Sequence, residues 1–181
     1  MNLNDSDSKD NERMAFEYSK KSINTNYTNA KSTRNYGTLL ERKGQFQEAR
    51  EKYLEALKKD RFDYNSYYCL GSLEIKLIMN SLIYEENGKY IFKINLLEES
   101  QLIDIRRKLH KALINLQMGL AYAQDKIKFF NKIGLCYSYL TLVEVEDERN
   151  KCVQSAYNYF YMSDPSQSYT NQMNLSRLER I

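Results

Sequence analysis

The sequence predicts an all-α fold, an αα-hairpin superhelix interrupted by a short β-hairpin, and three observations carry that prediction. The 181 residues include one proline and six glycines, which permits long helices and argues against a turn-rich β-sandwich. Apolar residues recur at helical spacing over most of the chain. Small residues recur with them: Gly71 stands at i+34 from Gly37, and Gly134 at i+63 from Gly71, an excess of 29 over the first interval. A repeated helix pair carrying one insertion of that extra length accounts for both intervals.

Each element follows from local pattern. Residues 1–9 are polar, acidic and without periodicity, so they predict a disordered lead before a single helical repeat domain over 10–181. Met14, Ala15 and Tyr18 recur at helical spacing towards Ile23 and predict a first helix that ends near "NTN". Ala15 and Ile23 precede Ala49 and Leu57 by the same interval of 34, so this helix reads as a half-repeat closing the N-terminal end. A second helix carries Tyr36, Leu39, Leu40 and Lys43, with Gly44 as its turn residue. Phe46, Ala49, Tyr53, Ala56 and Leu57 mark the apolar stripe of a third, and the pair is an αα-hairpin over residues 30–63.

Asp63 is the N-cap of a fourth helix running to about Met79, which opens a second repeat at 64–126. Within it, residues 80–97 form the insertion: Asn87-Gly88 sits between two β-branched and aromatic runs, the pattern of a type I′ hairpin turn. A long helix over 98–123 follows. Its Ala112, Leu116, Gly119 and Leu120 stand at i+63 from Ala49, Tyr53, Ala56 and Leu57, so the insertion lies between the two helices of one repeat. Residues 126–143 and 147–162 predict a third pair, repeat 127–163, whose second helix fits after a shift of about ten positions that brings Ala156 and Phe160 into register. Asp164-Pro165 starts a last helix over 165–180, and its stripe Leu175, Leu178 and Ile181 suits capping of a solenoid end.

A period of 34, with Leu-Gly in the first helix and A-x-x-x-Y-x-x-A-L in the second, resembles the tetratricopeptide repeat (TPR) family. The match is best over 30–63, where Gly37, Gly44, Phe46, Ala49, Tyr53, Ala56 and Leu57 stand at signature sites. Thr33 departs from the large residue usual near the start, and Arg61 stands where proline is common. Close helix crossings explain the small residues without the family name: at about 8–10 Å between axes, a side chain beyond Gly or Ala forces the backbones apart. Aromatics such as Tyr53, Tyr67 and Phe130 fill the neighbouring hollows.

The resemblance implies a concave groove lined by the first helix of each pair, binding a peptide or helix of a partner protein. Its groove positions fall on Lys31, Arg34, Asn35, Thr38 and Glu41, then Asn65, Tyr68, Cys69, Ser72 and Ile75, then Lys128, Asn131, Lys132, Leu135 and Ser138. One branch of the family clamps C-terminal carboxylates there. Arg34, Lys128 and Lys132 occupy its basic sites, with charged hydrogen bonds suited to an acidic or carboxylate-ended segment. Thr38 and Cys69 replace its two asparagines, so the clamp is incomplete. The hairpin and the last helix are further candidate contact surfaces.

Other classes find less support. The net charge of +3 comes from interleaved signs, as in Glu48-Ala49-Arg50-Glu51-Lys52, which reads as solvated helix faces and makes nucleic acid an unlikely partner. An RNA-binding helical repeat remains the alternative, to be recognised by steep salt dependence. Cys69, Cys136 and Cys152 are far apart and suit a reducing compartment rather than a disulfide framework or zinc ribbon. His110 has no nucleophile in motif context, and Glu144, Glu146 and Asp147 lack calcium-loop spacing and read as a solvated interhelix turn, so no catalytic residue, metal or cofactor is expected. The tyrosines fall largely at packing positions. With no apolar leader and no apolar window of about 18 residues, the expected location is the cytoplasm, away from membranes.

Overall fold

The computed structural model describes residues 13–14, 16–18, 29–86, 89–92 and 94–163. The expected lead at 1–9, the turn at Asn87-Gly88 and the closing helix at 165–180 lie outside them. The chain divides into two compact units, residues 1–69 and 70–181.

In the first unit, α1 (Ala30–Arg42) starts at Asn29, whose Oδ1 accepts a hydrogen bond from the Ser32 backbone N–H at 2.9 Å. Its buried stripe is Ala30, Thr33, Gly37 and Leu40, a 3–4–3 spacing that keeps one face inward. Gly44 ends it at φ +77°, a conformation in which a Cβ is strained. The Gly44 N–H reaches the Glu41 carbonyl at 3.0 Å and the Gln45 N–H reaches the Leu40 carbonyl at 2.9 Å, the paired bonds of a Schellman ending. The chain reverses at once into α2 (Phe46–Lys59), which buries Ala49, Tyr53 and Ala56. Residues 13–14 and 16–18 are helical, and Phe16 packs at 5.3 Å on Tyr36 with the Lys43 ammonium 3.3 Å from its ring centroid.

α3 (Tyr64–Leu82) begins in the first unit and continues into the second. It runs past the expected end at Met79, because Ile78 and Leu82 are buried and extend its apolar face. Strands β1 (Ile83–Glu86) and β2 (Lys89–Phe92) pair antiparallel, Ile83 with Phe92 and Glu86 with Lys89. A 3₁₀ turn at Ile94–Leu96 leads to α4 (Glu99–Tyr122), where the Gln101 side-chain oxygen accepts from the Glu98 N–H at 3.0 Å. α5 (Ile127–Leu140) and α6 (Glu146–Ser163) follow among the described residues. α5 stops short of the expected Val143: Leu142 and Val143 bond carbonyls three residues back, tightening the turn.

One joint recurs three times. A Cβ on Gly37 would stand 2.7 Å from the Tyr53 ring, one on Gly71 2.6 Å from Leu116 Cγ, and one on Gly134 2.7 Å from the Phe160 ring. The second helices share a pattern around each plug, with a small residue four before it and another three after. These are Ala49 and Ala56 around Tyr53, Ala112 and Gly119 around Leu116, and Ala156 and Ser163 around Phe160, all buried. Glycine supplies the hollow and the large side chain fills it, so each helix pair has one close-packed register.

Candidate partner-binding surface

On α1 the core stripe leaves Lys31 and Asn35 exposed and Thr38 half-buried on another face. Arg34 corrects the sequence reading. Its Nη1 contacts Asp63 Oδ1 at 2.5 Å and Oδ2 at 2.6 Å, with only 12% and 10% of the two side chains exposed. Asp63 is placed there by the turn after α2, where Asp60 Oδ1 accepts from the Phe62 N–H and the Asp63 N–H bonds the Asp60 carbonyl. Asp63 Oδ2 also accepts from Ser66 Oγ at 2.6 Å, so this guanidinium ties α1 to the start of α3 and is not a groove cation open to a ligand.

The same ion pair borders the polar tip of the first plug. The Tyr53 hydroxyl donates to Glu41 Oε2 at 2.9 Å, with Thr38 Oγ1 3.4 Å away. Burial holds the phenol well above its ordinary range. Burial likewise pushes the Cys69 thiol up to about 11, opposed by the Arg34 charge. Buried Thr33, where a large residue is the norm, donates to the Asn29 carbonyl at 3.2 Å and accepts from Lys59 Nζ at 2.9 Å. Asn65 and Tyr68 lie half-buried on the first turns of α3.

In the second unit, Ser72 is half-buried and its Oγ is enclosed without a hydrogen-bond partner. Lys128, Asn131 and Lys132 come together on the first turns of α5, all half-buried. Behind them Phe130 and Tyr137 lie against Tyr159, at 6.2 Å and 5.7 Å between ring centroids.

Glu144 is a second correction. It is buried rather than solvated: Arg106 Nε lies 3.1 Å from Oε2 and His110 Nε2 lies 2.8 Å from Oε1. Arg106 also donates to the Val143 carbonyl at 3.0 and 2.6 Å, so two residues one helical turn apart on α4 hold the α5–α6 turn. His110 thus serves as a structural partner. The i,i+4 spacing of Arg106 and His110 is the visible half of this cluster; the carboxylate, 34 residues beyond His110, carries no local signal.

The repeated glycine-over-plug pairs define a TPR-like helical fold. Among solved structures the chain is similar to the crystal structure of MamA, with a TM-score of 0.57 and 16% sequence identity, over 99% of this chain and 94% of that chain. No protein-family model matches the chain. No curated protein matches it either. Among the described residues no helix is long and apolar enough to cross a membrane.

Proposed function

We propose that this chain is a non-catalytic protein-interaction module, an adaptor or chaperone-like scaffold of the cytoplasm that binds an acidic segment of a partner protein along the first helices of its pairs. The observation that supports this reading is the register of the glycine contacts. Gly37, Gly71 and Gly134 turn one face of each first helix to its second helix. Lys31 and Asn35 on α1 are exposed, and Thr38 on α1, Asn65, Tyr68 and Ser72 on α3, and Lys128, Asn131 and Lys132 on α5 are half-buried. Amides and lysines at these sites can bond an extended backbone and its acidic side chains. Arg34 contributes by fixing α1 and α3, so the chemistry is a distributed polar contact rather than a clamp for one terminal carboxylate.

The test is an affinity capture from native lysate, with and without nuclease, comparing the wild-type chain with a Lys31→Ala, Lys128→Ala, Lys132→Ala variant of unchanged melting temperature. A nuclease-resistant protein partner that the variant loses supports the reading. A protein partner retained by the variant refutes these positions, and a partner lost only with nuclease replaces the reading with RNA binding.

A further inference from the structure

We draw no further inference here: the strongest candidate, the exposed apolar face of α4 formed by Ile103, Ile114 and Met118, carries none, because nothing in the structure shows what covers it.

Discussion

In the α1–α2 pair a phenol fills the hollow over Gly37, and in the α5–α6 pair a phenyl ring fills the hollow over Gly134. The rings are equally enclosed, yet their surroundings differ. Phe160 sits with Ala156 in an apolar cluster against Leu135, Tyr137 and Tyr157. Tyr53 extends its hydroxyl to Glu41 and Thr38, in the part of the unit where Arg34 binds Asp63. The same joint therefore does two jobs. The joint at Gly134 is filled by an apolar ring, whereas the one at Gly37 also orders polar side chains on the face that carries Lys31, Asn35 and Thr38.

The largest effect expected from this comparison is loss of the plug itself. Phe160→Ala should cost about 3–5 kcal/mol in chemical denaturation, since the ring leaves a cavity that backbones held by Gly134 cannot close. Asp63→Ala should follow at about 3 kcal/mol by stranding a nearly buried guanidinium, and Arg34→Met with Asp63→Leu should cost less than either single change. Gly37→Ala comes next, at about 1–3 kcal/mol by crowding the Tyr53 ring, with the gain in helix propensity offsetting part of it.

Tyr53→Phe is the sharper probe, expected at about 1 kcal/mol because Glu41 keeps access to solvent. It also has a pH signature. The folded pKa of Tyr53 is raised above its unfolded value, so the neutral phenol's contribution is fully present below the unfolded pKa of about 10 and is lost as pH rises above it. The Phe variant should therefore lose less stability than wild type between neutral and strongly alkaline pH in urea titrations. Smallest of all, Lys128→Ala should stay within about 0.5 kcal/mol while its effect on partner capture is large.

The helical pairs were legible because their signals are local. A glycine inside an apolar stripe and an alanine four residues before a large side chain can be read along one helix, and the recurring glycine interval then aligns the first two pairs. Phe160 stands at i+26 from Gly134, whereas Tyr53 stands at i+16 from Gly37, so only the contact itself fixes the third register. Ser163, at the third small site, lies one residue beyond the expected end of its helix at 162.

The candidate surface was less legible. Arg34 stood at a basic groove position by count, but its partner Asp63 lies 29 residues on, across a whole helix. Counting along a repeat says which face a side chain occupies. It does not say which neighbouring element competes for its charge. Glu144 shows the same limit: an acidic run between helices resembles a solvated turn until α4 brings Arg106 and His110 to it.

A missing Cβ on one helix is matched to a large side chain on its partner. A double-mutant cycle on Gly134→Ala and Phe160→Leu, read by equilibrium denaturation, tests it most directly. The added methyl should destabilise the wild-type background and be neutral or stabilising in the Phe160→Leu background, where the space has been released and alanine's helix propensity remains. Strictly additive effects would contradict the claim and leave the glycine spacing without its physical cause.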